Sequence, residues 1–327
     1  MKSGEEELMK IFASPVRAVL SRLSVDYERL QEIRLRVQAP LLIQYENKEY
    51  YVSRDGQPTQ EKNKSYIISK ADMKETVEYI SNYSLYAYED ELRQGFITVQ
   101  GGHRVGMAGK VIMEKNEIKT MKYISFINVR LSHQIKGCAD NLIPYVTEKN
   151  GVRNTLIISP PRCGKTTLLR DLIRQLSDGS DDRAGMTVGV VDERSEIAAC
   201  YMGIPQNELG IRTDVLDCCP KAKGMLMLIR TMAPQVVAVD EIGGREDMEA
   251  IGAVRNCGCK LLATVHGSSL DDIRSKPILR ELIQEHAFER YVVLGTAECA
   301  GKITEIFGTQ GELIYQGNLR MAGRHGY

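Results

Sequence analysis

The stretch Thr155-Leu156-Ile157-Ile158-Ser159-Pro160-Pro161-Arg162-Cys163-Gly164-Lys165-Thr166-Thr167 constrains this chain more than any other, because it asks for three conformations in quick succession. An apolar run closing on Ile157 and Ile158 reads as a buried strand, and residues 160–164 read as a tight loop. After Lys165, the apolar residues Leu168, Leu169, Leu172, Ile173 and Leu176 recur at helical spacing. A strand, a loop and a helix start turn successive backbone N–H groups and a positive helix end toward one point, which makes an anion site. Lys165 adds a cation that reaches β- and γ-phosphates, and the Thr166 hydroxyl is a ligand for magnesium. Ser159 stands where the P-loop pattern begins with glycine, a change that costs little where no positive φ is needed, while Gly164, Lys165 and Thr166 are intact. Ser159, Pro160, Pro161, Arg162, Cys163, Gly164, Lys165, Thr166 and Thr167 are therefore the candidate nucleotide-binding residues, with ATP and Mg2+ as the expected cofactors.

A phosphate loop alone does not separate a switch from a motor, so the acidic motifs matter. Val236-Val237-Ala238-Val239-Asp240-Glu241 is an apolar strand that delivers two carboxylates at the carboxyl edge of a sheet. Asp240 is placed to hold the magnesium shell as a metal ligand with Thr166, and Glu241 to orient or deprotonate the attacking water. Val190-Val191-Asp192-Glu193-Arg194-Ser195-Glu196 repeats the pattern, making Glu193 either a further acid for magnesium or water, or part of a solvated charged loop. Leu261-Leu262-Ala263-Thr264-Val265-His266 is a third strand, on which Thr264 and His266 share one side. His266 either senses the γ-phosphate or is an ordinary strand-end histidine.

The order of elements sets the fold class. Up to about residue 140 the pattern mixes short strands and helices. Ile33 to Val37 and Leu41 to Ile43 suggest two antiparallel strands, Ser69 with Asp72 suggests a capping box for a helix through Ile80, and Phe96 to Val99 with Val105 to Val111 suggests a hairpin. Beyond it, strands and helices alternate, which implies a mainly parallel sheet flanked by helices. The expectation is an α/β chain with a smaller N-terminal α+β domain, residues 1–140, and a P-loop domain, residues 141–327.

Composition removes other classes. Lys plus Arg equals Asp plus Glu at 43 each, so no net charge draws the chain onto nucleic acid. The longest apolar runs are strand-sized, and Met1 to Ser14 lacks the order of a signal peptide, so a cytosolic setting is expected. The eight cysteines include no Cys-x-x-Cys pair, so no stable metal cluster is expected.

The order of these motifs, with Ala233-Pro234-Gln235 ahead of Asp240-Glu241-Ile242-Gly243 and the Ala263-Thr264-Val265-His266 box, resembles the type II and type IV secretion and pilus-retraction ATPases. Within that superfamily the chain is most similar to the sporulation branch of endospore-forming bacteria. Leu30 to Arg36 with Pro40-Leu41, and Gly95 to Gly106, resemble the two halves of that branch's N-terminal domain, so the resemblance covers nearly the whole chain. It implies a RecA-like ATPase domain and a homo-oligomer, a hexameric ring. It also implies a place peripheral to the membrane on the mother-cell side of the forespore, with membrane proteins of a secretion-like complex as partners. The family's acidic and histidine boxes map onto Asp240, Glu241 and His266, and the resemblance implies an arginine from the N-terminal domain reaching the nucleotide, Arg104 first and Arg130 second. Arg162 and Cys163 depart from the smaller residues common in such loops, and Asp240 stands where many pilus motors have glycine.

Two other readings stay open on the sequence: a RecA-like ATPase acting on nucleic acid through bases such as Arg320, Arg324 and His325, and a scaffold that binds ATP without turning it over. Neutral charge and few aromatics weigh against the first, and Glu241 against the second.

Overall fold

The structure, a computed structural model, describes residues 3–84, 88–114, 117–149, 151–295 and 301–317. Cys299, Arg320, Arg324 and His325 lie outside the described residues. Contacts divide the chain into two compact units, Met1–His133 with Ala199–Gln206, and Gln134–Ala198 with Asn207–Tyr327. Where the sequence pattern suggests one cut near residue 140, contacts cut at His133 and assign Ala199–Gln206 to the first unit.

The first unit begins with helices α1 (Ser3–Lys10) and α2 (Ser14–Leu20), then strands β1 (Leu30–Arg36), β2 (Leu42–Tyr45), β3 (Lys48–Val52) and β4 (Pro58–Thr59). Helices α3 (Lys70–Ile80) and α4 (Glu89–Gln94) lead to β5 (Phe96–Val99), β6 (His103–Glu114) and β7 (Glu117–Arg130). The seven strands pair antiparallel in the order β4-β3-β2-β1-β7-β6-β5. Alternate residues, Ile33 and Leu35, Ile97 and Val99, Val105 and Met107, Ile127 and Val129, are buried with Phe12, Val16 and Leu20 and with Met73, Val77 and Ile80. A period of two on strands facing a helical stripe is what one buried sheet face requires. Helix α3 starts on the expected capping box: Ser69 Oγ accepts from Asp72 N at 3.0 Å and Asp72 Oδ2 from Ser69 N at 2.8 Å. Within this unit Gln206 Oε1 accepts from Gly101 N at 2.9 Å, and Asn82 Nδ2 donates to the Tyr201 hydroxyl at 3.0 Å, which ties Ala199–Gln206 in place.

The second unit opens with α5 (Ile143–Val146) and a small pair, β8 (Thr147–Glu148) with β9 (Gly151–Val152). Then follow β10 (Thr155–Ser159), α6 (Lys165–Asp178), β11 (Val188–Asp192), β12 (Thr213–Asp217), α7 (Lys221–Thr231), β13 (Val236–Val239), α8 (Arg245–Asn256) and β14 (Lys260–His266). Helices α9 (Leu270–Ser275) and α10 (Pro277–Gln284) precede β15 (Arg290–Leu294), β16 (Ile303–Phe307) and β17 (Leu313–Gln316). The sheet order is β12-β11-β13-β14-β10-β15-β16-β17, parallel from β12 through β15 and antiparallel for the last two strands. Residues of β10, β11 and β13 are all buried, as central strands covered on both faces must be.

The pleat sorts these strands onto two faces. Leu156, Ile158, Val237, Val239, Leu261, Ala263 and Val265 join one core with Met225, Leu228, Ala250, Ile251 and Val254 of α7 and α8. The alternate residues, among them Ile157, Ala238, Leu262 and Thr264, turn to the other face, where α6 packs against β10, β11, β12 and β14. Asp240 and His266, two residues beyond Ala238 and Thr264, are thereby carried toward the face on which α6 begins. Strand β12 and helices α9 and α10 are not evident in the sequence pattern. β12 is a half-buried edge strand with no continuous apolar run, and α9 and α10 are too short to show a sustained period. Among the described residues no helix is long and apolar enough to cross a membrane.

Candidate functional site

Residues 160–164 connect β10 to α6, and Gly164 at the helix N-cap has φ +86°, a left-handed conformation that glycine adopts without strain. Arg162, also left-handed at φ +61°, is exposed on this loop. Gly301 N donates to Cys163 O at 2.9 Å and anchors the loop from behind. A cavity of about 520 Å³ opens at the helix start, lined by Pro161, Arg162, Gly164, Lys165, Thr166, Thr167, Arg194, Glu196, Glu241 and His266. Six of the nine candidate nucleotide-binding residues thus share it. The other three serve the loop. Ser159 is buried with its Oγ donating to Pro160 O at 2.9 Å, and the buried Cys163 turns its thiol to Pro161 O at 3.5 Å.

The acids meet the loop through an intervening strand. β14 pairs with β10 on one side and β13 on the other, with His266 opposite Ser159 and Ala263 opposite Val239. The Asp240-Glu241 strand is therefore not the immediate neighbour of β10, and the buried Thr264 bridges the gap. Its hydroxyl donates to Asp240 Oδ1 and accepts from Glu241 N at 2.9 Å. Asp240 Oδ2 accepts from Thr166 Oγ1 at 2.7 Å. Glu241 has φ +56° and is held there by that Thr264 contact.

The Glu241 carboxylate, only 17% exposed, collects the cations of the site. Oε1 lies 2.5 Å from Lys165 Nζ and 2.9 Å from His266 Nε2, and Oε2 accepts from Arg194 at 2.9 Å. Burial works to raise the Glu241 carboxyl, but the Lys165 hydrogen bond and the charges of Lys165, His266 and Arg194 outweigh it, holding it below the ordinary carboxylate range. Arg194 is a site residue that the sequence pattern did not single out, although its place two residues past the end of β11, at the edge where the other acids emerge, was the available signal.

The turn carrying Arg194 is built on Asp192. This buried carboxylate accepts from Glu196 N at 2.8 Å, Ile197 N at 3.0 Å and Ala198 N at 2.8 Å. Burial nonetheless pushes it up to about 6. Arg170 of α6 donates from Nε to Ile197 O at 2.8 Å and from its guanidinium to Glu196 O at 2.6 Å. Glu193 points elsewhere, pairing with Lys221, and does not line the cavity. Arg104 belongs to the first unit, where its guanidinium lies 3.4 Å from the centre of the Phe96 ring.

The donor set fits magnesium. Thr166 and Asp240 offer hard oxygens at one point, and this ion needs only one or two protein ligands when phosphates supply others. Among the described residues no group of three or more His, Cys, Asp or Glu is arranged to hold a metal by itself.

The mostly parallel sheet, with the β10–α6 turn, two acids and a cation cluster at its carboxyl edge, is a mixed α/β fold that resembles solved ATPases. The structure superposes on the ATPase DotB of Legionella pneumophila with a TM-score of 0.57, at 16% identity over 91% of this chain and 82% of that one. It also matches the pilus retraction motor PilT solved with ADP, with a TM-score of 0.55 at 13% identity over 81% and 74%. At such identities the likeness establishes the fold. Sequence goes further: residues 2–314 match the family described as sporulation stage III, protein AA, and the chain belongs to that family. It is 40% identical over 309 residues to stage III sporulation protein AA of Bacillus subtilis (strain 168), spanning 94% of this chain and 96% of that one.

Proposed function

We propose that this protein is a magnesium-dependent ATPase that energises assembly or transport by a secretion-like channel complex between mother cell and forespore. It works as a homo-oligomer, a ring of six RecA-like domains, in the cytoplasm at the mother-cell face of the forespore membrane, docked on membrane proteins of that complex. The observation that carries the reading is the pair of acids at the end of β13. Asp240 is bonded to the Thr166 hydroxyl and Glu241 to the Lys165 ammonium, so a metal-holding group and a proton acceptor face the same helix start.

Lys165 exchanges Glu241 for the β- and γ-phosphates. Thr166 and Asp240 would hold magnesium, which would supply neutralisation of phosphate charge. Glu241, relieved of Lys165, accepts a proton from the water that attacks the terminal phosphorus as the bond to the bridging oxygen breaks and ADP leaves with that oxygen. His266 stays against Glu241 and relays its protonation state, and Arg104 of a neighbouring copy supplies positive charge to the transferring group. The cavity lies within the size range of small-molecule sites. The sporulation role follows the family, and the motor role follows the likeness to DotB and PilT.

The test is ATP turnover by the purified chain together with its mass in solution, with and without ATP, for wild type and Glu241→Gln. Turnover that needs Glu241, in a ring stabilised by nucleotide, is the expected result. Turnover indifferent to Glu241 would remove the catalytic assignment.

A further inference from the structure

Three cationic or titratable side chains converge on one carboxylate, and they are not equivalent. Lys165 is 8% exposed and emerges from the first residue of α6, so its position is set by the helix. Arg194 is 64% exposed and bonds the other carboxylate oxygen, Glu241 Oε2. The turn beneath it is anchored independently, by three N–H groups on Asp192 and by Arg170 on two carbonyls. Its backbone is thus held while its side chain can exchange one anion for another without refolding.

A carboxylate and a phosphoryl group offer a guanidinium the same thing, two acceptor oxygens on one centre. Lys165 and Arg194 sit on the two oxygens of one carboxylate, and that spacing also suits two oxygens of one phosphoryl group. The charge balance favours the exchange. Arg162, Lys165 and Arg194 line the cavity against Glu196 and Glu241 alone, leaving surplus positive charge for a polyanion. Because Arg194 touches the acid placed to act on water at the terminal phosphorus, the phosphate within its reach is the terminal one.

We propose that Arg194 is the residue by which this site tells a nucleoside triphosphate from a diphosphate, exchanging its ion pair with Glu241 for one with the terminal phosphoryl group. The inference rests on the nucleotide-binding reading above and adds to it the discriminating group. Lys165 serves either nucleotide. Arg194 leaves Glu241 only for the triphosphate, so the carboxylate is released to accept a proton when there is a bond to hydrolyse.

The experiment is equilibrium binding of magnesium–ADP and of a magnesium-bound, non-hydrolysable ATP analogue to the full chain as wild type, Arg194→Ala and Arg194→Lys. Arg194→Ala is expected to weaken the triphosphate about tenfold or more while ADP stays within about twofold, with Arg194→Lys between. An unchanged ratio of the two affinities overturns the assignment and leaves nucleotide binding standing. Equal loss of both nucleotides also overturns it, by making Arg194 a support of the site's fold. A wild-type chain that binds neither nucleotide overturns the underlying reading and this inference with it.

Discussion

Lys165 Nζ and Glu241 Oε1 lie 2.5 Å apart although 76 positions separate them in the chain. The pair places the cation at the start of α6, which follows β10, on the acid of a strand two places away in the sheet, with β14 between them. Removing either partner has a distinct consequence. Lys165→Ala is expected to abolish nucleotide binding, leaving Glu241 to His266 and Arg194, whereas Glu241→Gln keeps nucleotide bound and lowers turnover by about 10²–10⁴-fold, the range of a lost general base. Binding and turnover measured side by side check both, and normal hydrolysis by Lys165→Ala would end the site assignment.

Thr264 holds both acids at once. Thr264→Val keeps the shape but removes the hydroxyl, leaving the Glu241 N–H without its acceptor and Asp240 without one donor. Denaturant unfolding is expected to show a loss of about 1–3 kcal/mol. Magnesium-dependent turnover should fall further than the unfolded fraction explains. A variant as stable and active as wild type would mean that neighbouring groups, not this hydroxyl, position the acids.

Asp192 makes a pH prediction. Its folded value is raised to about 6 by burial, above the ordinary aspartate value, so between the two values the folded state binds more protons than the unfolded. Its contribution to stability is therefore fully present below about pH 4 and declines as pH rises through about 6. Over that window the decline is roughly 2–3 kcal/mol by linkage. Asp192→Asn should remove this slope, whatever its absolute stability, in thermal unfolding followed from pH 4 to 7. An identical slope in the variant would assign the titration to another group.

The capping box of α3 offers a control far from the site in sequence. Ser69→Ala removes the acceptor for Asp72 N and should cost about 1 kcal/mol. ATP turnover per folded molecule is expected to stay unchanged. A stability equal to wild type would show that Asp72, which also accepts from Ser69 N and the Tyr66 hydroxyl, carries the cap alone.

Much of the architecture was legible because it is local. Hydrophobic period two marked β1, β5 and β6, the apolar runs marked β10, β11, β13 and β14, and Ser69 with Asp72 marked the start of α3. Edge strand β12 has no continuous apolar run, and helices α9 and α10 are too short to sustain a period, so they escaped. In the site, Lys165, Thr166, Asp240, Glu241 and His266 were recognisable and do meet in space. Glu193 was as good a candidate as Arg194 on sequence grounds, since both follow the same strand. The turn after β11 sends Glu193 to Lys221 and Arg194 to Glu241.

By itself the sequence determined the loop at the start of α6, the alternation that makes a parallel sheet and the acids at its edge, because each depends on neighbours a few residues apart. Only the tertiary structure decided that β14 lies between the loop strand and the acidic strand, that Thr264 bridges them and that Arg194 faces Glu241. Those choices depend on strand order and on where a turn directs its side chains. Both are set by packing between segments that the sequence keeps far apart.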